Sequence, residues 1–284
     1  MSGTLFVVGT PIGNLGDMTP RARETLARVA MVAAEDTRRT GRLLGGLDIR
    51  KPMLSFFEGN ERERVGQILL RLRTGDDVAL VTDGGMPGVS DPGFRLVRAA
   101  AAEGIDVRVI PGPSAAIAAL VVSGLPTDRF VFEGFLPKKE GERMRRLDGL
   151  AEDPRTIVCF ESPARLPAML RDLLTAMGDR QVAVARELTK LHEEVLRGRA
   201  SEVLAGLAGV DLKGEVAVVI AGSPPTASDD VAVFIPEAEA LIGSGMRKRD
   251  AAHEVAERYG VSANALYRAL LDDRPSPQDE PPLN

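Results

Sequence analysis

Residues 4–14 read Thr4-Leu5-Phe6-Val7-Val8-Gly9-Thr10-Pro11-Ile12-Gly13-Asn14. The first five are apolar and β-branched, the pattern of a short buried strand. The next six form a Gly/Pro loop. Glycine lets a backbone turn tightly and approach a ligand with no Cβ in the way, and proline fixes the path of the turn. Two more loops of this kind follow predicted strands. Residues 76–81 lead into Asp83-Gly84-Gly85-Met86-Pro87-Gly88-Val89-Ser90-Asp91-Pro92-Gly93, and residues 106–110 lead into Pro111-Gly112-Pro113-Ser114-Ala115. One such loop is an ordinary turn. Three on one predicted edge imply a ligand cleft, with backbone N–H groups and helix N-termini suited to the carboxylate or hydroxyls of a small ligand.

Working outward, Thr19-Pro20 supplies an N-cap followed by proline at the first helical position, and opens a helix to about Arg28. Residues 30–34 read as a second strand. Strand, loop and helix in repeated order predict a mostly parallel sheet covered by helices, with ligands outside the carboxyl ends of the strands. A second α/β unit begins near Pro126. Its predicted strands span residues 129–134, 155–160, 181–186, 193–199 and 214–221, in a mixed sheet, and Ser162-Pro163 opens a helix to about Met177. The expected organisation is two α/β domains, 1–125 and 126–222. A linker of Gly/Ser/Pro composition follows at 223–235, then a helical unit at 236–272 and a polar, Pro-rich, disordered tail at 273–284.

Composition narrows the chemistry. The chain has 284 residues, enough for two domains, and 44% hydrophobic residues, enough for real cores. Its net charge of −5 means that any nucleic-acid contact must rest on local clusters of Lys and Arg. The one cysteine, Cys159, lies in the apolar run 156–160, so it reads as a buried strand residue in a reducing cytosol, and no disulfide framework exists within the chain. Two histidines, His192 and His253, leave no multi-His metal site, and no metal is expected. No apolar stretch reaches about 18 residues, and no basic segment followed by an apolar run opens the chain, so neither a membrane span nor a secretory leader is expected. No loop ends in the Gly-Lys-Ser/Thr of a nucleotide-hydrolysing loop. The first loop does not match Gly-x-Gly-x-x-Gly, which disfavours a dinucleotide oxidoreductase.

At this point the chain resembles a known family. Val8 to Leu15, Ala34-Glu35-Asp36-Thr37-Arg38, Asp83 to Gly93, Pro111 to Ala115, Glu133-Gly134-Phe135-Leu136-Pro137 and Ala185-Arg186-Glu187-Leu188-Thr189-Lys190 are similar, in order, to tetrapyrrole-methylase-type (class III) S-adenosylmethionine methyltransferases. More narrowly they resemble the ribosomal RNA small subunit methyltransferase I family. The Thr-Pro-Ile-Gly-Asn loop and the Glu-Asp-Thr-Arg segment separate the chain from tetrapyrrole methylases, whose first loop usually reads Gly-x-Gly-x-Gly-Asp.

The resemblance implies two α/β domains with S-adenosylmethionine between them, a cytoplasmic homodimer, and methylation of the ribose 2′-hydroxyl of a cytidine in the decoding region of 16S ribosomal RNA in the small subunit. It places cofactor contacts on Ile12, Asp83, Met86, Ser114, Ala115, Phe160 and Leu188, with Pro11, Gly13 and Gly85 in the same loops. One departure is the stretch Phe56-Phe57-Glu58-Gly59-Asn60-Glu61, where relatives often carry histidines, although Asn60 and Glu61 remain. A tetrapyrrole or other small substrate, or a non-catalytic ribosome-associated protein, are the competing readings.

Candidate catalytic groups are Glu35 and Asp36, which follow a strand, and Glu187 with Lys190, which the resemblance turns towards the same cleft. Lys190 would deprotonate or orient the hydroxyl, held by Glu187. Arg38 is placed to hold a phosphate. The run 138–146 carries five positive charges, Lys138, Lys139, Arg143, Arg145 and Arg146, against two negative, and is the leading expected RNA contact. Arg247, Lys248 and Arg249 begin an amphipathic stretch in which Ala256, Gly260 and Leu266 fall at helix-turn-helix spacing. Ala251, Val255, Leu266 and Leu270 are expected to form the core of that unit.

Overall fold

A computed structural model describes residues 2–209, 214–224 and 231–272. Expectations for residues 225–230 of the linker and for the tail 273–284 lie outside the described residues. The chain divides into two compact units, one of residues 1–151 and 155–221, the other of residues 152–154 and 222–284.

The first unit holds both sheets. The N-terminal sheet comprises β1 (Leu5–Val8), β2 (Met31–Ala34), β3 (Met53–Ser55), β4 (Val78–Val81) and β5 (Val107–Ile110). They run in the order β3-β2-β4-β1-β5 and every pairing is parallel. Successive side chains point to opposite faces, and both faces are covered. Phe6, Val8, Val32, Ala34, Ala79 and Val81 pack with Leu26 of α1 (Pro20–Arg28) and Leu44 of α2 (Thr37–Gly46). Leu5, Ala33, Val78 and Leu80 pack with Ile68 and Leu72 of α3 (Glu61–Arg73) and Leu96 of α4 (Phe94–Ala102). That two-sided burial is why the inner strands β1, β2 and β4 read as apolar runs. The cap expected at Thr19 is present: its hydroxyl accepts the Ala22 N–H at 3.1 Å.

Helix α5 (Ala115–Ser123) leaves the third Gly/Pro loop and packs its Ala116, Ala119 and Leu120 against Val158, Ala183 and Val219 of the second sheet. The residues ahead of the boundary expected near Pro126 therefore already serve the second sheet. That sheet has the order β6-β7-β10-β8-β9, from β6 (Phe130–Phe135), β7 (Thr156–Glu161), β8 (Gln181–Arg186), β9 (Glu194–Arg199) and β10 (Val216–Ile220). Only β6 and β7 are parallel; the other pairings are antiparallel. Helices α6 (Glu140–Asp148), α7 (Leu166–Met177) and α8 (Ala200–Gly206) contribute Leu147, Leu170 and Val203 to the core on its other face, where Cys159 is fully buried. Burial pushes that thiol above its ordinary range, so it is a packing residue.

In the second unit a short 3₁₀ turn (Val231–Phe234) leads into α9 (Ile235–Gly243), α10 (Lys248–Tyr259) and α11 (Ala263–Asp272). The end of the expected linker is thus already helical. Ala238, Ala252, Val255, Leu266 and Leu270 form its small core, and Ala251 is buried with them. Gly260 ends α10 with φ 65°, the left-handed cap that glycine adopts without strain. Among the described residues no helix is long and apolar enough to cross a membrane.

Candidate active site

The strand order β4-β1-β5 brings the three Gly/Pro loops side by side at the carboxyl ends of adjacent strands. They are locked together by backbone. Thr10 N–H donates to Gly85 O at 2.9 Å and Gly85 N–H donates to Thr10 O at 3.0 Å, which joins the first loop to the second. A Cβ on Gly9 would stand 2.6 Å from Gly112 N, and one on Gly112 would stand 2.8 Å from Gly9 C, so the first and third loops touch main chain to main chain. No other residue type fits that crossing.

Between these loops and the second sheet lies a cavity of about 660 Å³. All ten residues expected to hold the cofactor line it: Pro11, Ile12 and Gly13; Asp83, Gly85 and Met86; Ser114 and Ala115; and, from the second sheet, Phe160 and Leu188. Glu35, Glu187 and Lys190 line it as well. Asp36 and Arg38 do not; in their place the cavity meets Arg39. The reason is local. Asp36 is the N-cap of α2, accepting the Arg38 and Arg39 N–H groups, and its carboxylate pairs with the exposed Arg38 guanidinium at 2.8 Å. Hydrogen bonds from Arg38 hold the Asp36 carboxyl well below the usual carboxylate range.

The turn 187–190 leaves β8 in an unusual conformation. Glu187 has φ 50° and Thr189 φ 66°, positive values uncommon for any residue but glycine and rarest for a β-branched one such as Thr189. Lys190 N–H donates to Glu187 O at 3.0 Å, and Thr189 N–H donates to Glu193 Oε2 at 2.7 Å. The result points Lys190 back into the cavity, where its Nζ donates to Glu187 Oε1 at 2.9 Å. A Cβ on Gly13 would stand 2.6 Å from Lys190 Cγ and 2.8 Å from Cε. The lysine stem therefore lies across bare Gly13 backbone, joining the first loop to the second sheet.

Among the described residues six carboxylates line the cavity, Glu35, Asp83, Asp91, Glu161, Glu187 and Glu215, against the cations Arg39 and Lys190. Arg39 pairs with Asp83 at 3.2 Å, and Glu161 is tied to Arg165 at 2.8 Å. Burial, with Asp83 nearby, raises the Glu35 carboxyl. Asp91 is raised furthest, to about 7, by burial first and then by the Glu35 charge. Asp91 stands in the second loop, but nothing in the sequence marked its raised carboxyl, because its partner Glu35 is 56 positions away and its partial burial is a tertiary fact. Asn60 and Glu61 hold the fold: Asn60 bridges Phe57 N and Ser55 O, and buried Glu61 accepts from Gly93 N and Arg95 N at 3.2 Å, fastening the end of the second loop to α3.

None of the expected RNA contacts at 138–146 lines the cavity. Arg143 is buried, pairs with Asp172 at 2.6 Å and donates to Pro137 O and Lys138 O, so it is withdrawn as a surface contact. Arg146 pairs with Glu133 at 2.5 Å. Lys138, Lys139 and Arg145 remain exposed. In the helical unit Lys248 Nζ donates to Leu270 O at the end of α11, Arg247 pairs with Asp250, and Arg249 is exposed.

A family model for tetrapyrrole (corrin/porphyrin) methylases matches residues 4–204. The ribosomal RNA small subunit methyltransferase I of Synechocystis sp. is 45% identical over 95% of this chain and 98% of its own length. That of Thermotoga maritima is 50% identical over 78% of this chain and 99% of its own. The chain belongs to the tetrapyrrole methylase family and, within it, to the ribosomal RNA small subunit methyltransferase I family. Among solved structures, a uroporphyrin-III C-methyl transferase from Thermus thermophilus, complexed with S-adenyl homocysteine, matches in fold with TM-score 0.56 and 23% identity over 77% of this chain and 97% of that one.

Proposed function

We propose that this chain transfers the methyl group of S-adenosylmethionine to the ribose 2′-hydroxyl of a cytidine in the decoding region of 16S ribosomal RNA, acting on the small subunit as a cytoplasmic homodimer. The observation that carries the reading is the convergence of all three Gly/Pro loops and the Glu187–Lys190 turn on one acid-lined cavity. The cavity suits such a cofactor. Gly84 and Gly85 offer backbone with no side chain, Ile12, Met86 and Leu188 offer apolar wall, and the excess of carboxylates favours a cation. When bound, S-adenosylmethionine supplies an electrophilic methyl on a positively charged sulfur.

This chain's residues do the rest. Holding the two partners in line supplies up to about 7–11 kcal/mol when orientation is ideal. Lys190, paired to Glu187, orients the ribose hydroxyl by donating to it. Asp91, whose carboxyl is poised near neutrality, accepts the hydroxyl proton, a role worth about 10²–10⁴-fold. The RNA backbone, repelled by the acidic cavity, is met outside it by Arg38 and by the exposed Lys138, Lys139 and Arg145; the helical unit by itself offers the exposed Arg249.

The test is transfer of labelled methyl to 30S subunits, compared with naked ribosomal RNA and porphyrinoid acceptors. Alkaline digestion then locates the methyl, since a 2′-O-methyl removes the internal nucleophile and leaves an alkali-resistant dinucleotide. Label on a porphyrinoid, or on an alkali-labile position, would replace this reading with another. Sedimentation of the purified protein tests the dimer.

A further inference from the structure

The wall of the cavity formed by β6 holds a feature that holding the cofactor and moving the proton do not use. Phe130 and Phe132 face the same side of the second sheet as Phe160, and Val131 faces the other. Regular alternation would send Phe135 to Val131's side. It does not go there. Phe132 pairs with Val158, but Gly134 pairs with Cys159 and Phe135 with Phe160, so Glu133 is an extra residue, a β-bulge. Such bulges re-aim side chains beside functional sites.

Two contacts pin the bulge. Glu133 is buried and ion-paired with Arg146. Gly134 takes φ 63° and lies so close to the second loop that a Cβ would stand 2.8 Å from Ser90 Oγ. The outcome is that Phe135 lines the cavity while 60% exposed. Its ring is backed by Phe160, centroids 5.5 Å apart, which in turn rests edge-on against Phe132 at 5.1 Å. A third of the chain's nine phenylalanines are thus stacked into one wall, and only the outermost ring is open. Leu15 and Val89, 57% and 41% exposed, line the same cavity.

We propose that Phe135 is a stacking platform for a nucleobase of the RNA substrate, holding the nucleotide that presents its ribose to Lys190 out of its own base stack. This rests on the proposed RNA reading. The depth of the residues separates this base from a bound adenosyl group: Leu188 is buried and Phe160 half-buried, whereas Phe135 is reached first from solvent. An aromatic face binds any base by stacking, and a rigidly backed one does so at little entropic loss.

The experiment measures the KM and kcat for 30S subunits, and the Kd for S-adenosylmethionine by calorimetry, in the wild type and in Phe135→Ala, Phe135→Leu and Phe135→Trp. Thermal melts confirm that each variant folds. The expected result for Phe135→Ala is a KM raised about 10- to 100-fold with an unchanged cofactor Kd. Phe135→Leu, apolar but without a ring, should stay impaired, and Phe135→Trp should recover. An unchanged KM, a cofactor Kd that weakens in step, or rescue by leucine overturns the platform. Failure of the wild type to methylate RNA at all would instead bring down the RNA reading, and the platform with it.

Discussion

The two sheets build the same cavity with different materials. The N-terminal sheet contributes main chain packed on main chain, Gly9 against Gly112, Thr10 against Gly85 and the bare backbone of Gly13, with side chains such as Ile12, Asp83 and Met86 beside it. The second sheet contributes side chains: Phe135 on its bulge, Phe160, Leu188, and Lys190 with Glu187 on a strained turn. A parallel sheet presents all its loops at one edge, so close-packed backbone there makes a cradle of fixed shape. A mixed sheet with bulges and tight turns aims individual groups into it. In the proposed mechanism the first wall mainly holds the cofactor and the second mainly orients the acceptor, so substitutions on each should fail differently.

Asp91, the proposed base, lies on the N-terminal half and should show the largest effect. Asp91→Asn is expected to lower kcat by about 10²–10⁴-fold. It should also abolish the limb of the wild-type pH–kcat/KM profile that rises through about pH 7, where the carboxyl of the free enzyme loses its proton. The stability effect has the opposite sign. A carboxyl raised on folding favours the native state most at low pH, and that contribution is lost as pH climbs from the ordinary carboxylate range to about 7. Asp91→Asn should therefore melt higher than wild type at pH 8 and alike near pH 4; equal melting at both would remove the burial argument.

On the acting wall, Lys190→Ala should cost about 10²-fold in kcat, the scale of a misoriented reactant, with cofactor affinity retained. Near-normal turnover at saturating cofactor would take Lys190 out of the mechanism. On the holding wall, Gly112→Ala forces a Cβ into Gly9. It should destabilise the protein by about 1–3 kcal/mol and weaken cofactor binding while leaving the pH profile of the remaining activity unchanged. Loss of kcat alone would blur the contrast between the walls. The smallest effect is expected from ending the chain after Gly222. The Thermotoga maritima relative is matched over 99% of its length by 78% of this chain, so it has no counterpart to about a fifth of these residues, a share close to that of the helical unit. The shortened protein should bind cofactor as before and lose part of its activity on 30S subunits. Full activity would leave the exposed Arg249 with no role in RNA contact.

Much of this was legible in the chain itself, because it rests on local rules. The apolar runs of β1, β2 and β4, the Thr19-Pro20 cap and the Gly/Pro loops are written in neighbouring residues, and the motif wording carried the family. Position in space was not. The charge run 138–146 looks uniform in sequence, yet α6 turns Arg143 into the core against Asp172 and Arg146 onto Glu133. Arg38 and Arg39 are adjacent, and helical geometry sends only the second to the cavity. The residues alone determined which loops would be bare backbone, since only glycine survives where two main chains cross. Only the tertiary structure decided that the first loop, Gly9 to Asn14, would meet Lys190, that half-buried Asp91 would share the cavity with Glu35, and that one extra residue at Glu133 would turn Phe135 into it. Electrostatics and burial depend on partners far away in the chain, and no local pattern encodes them.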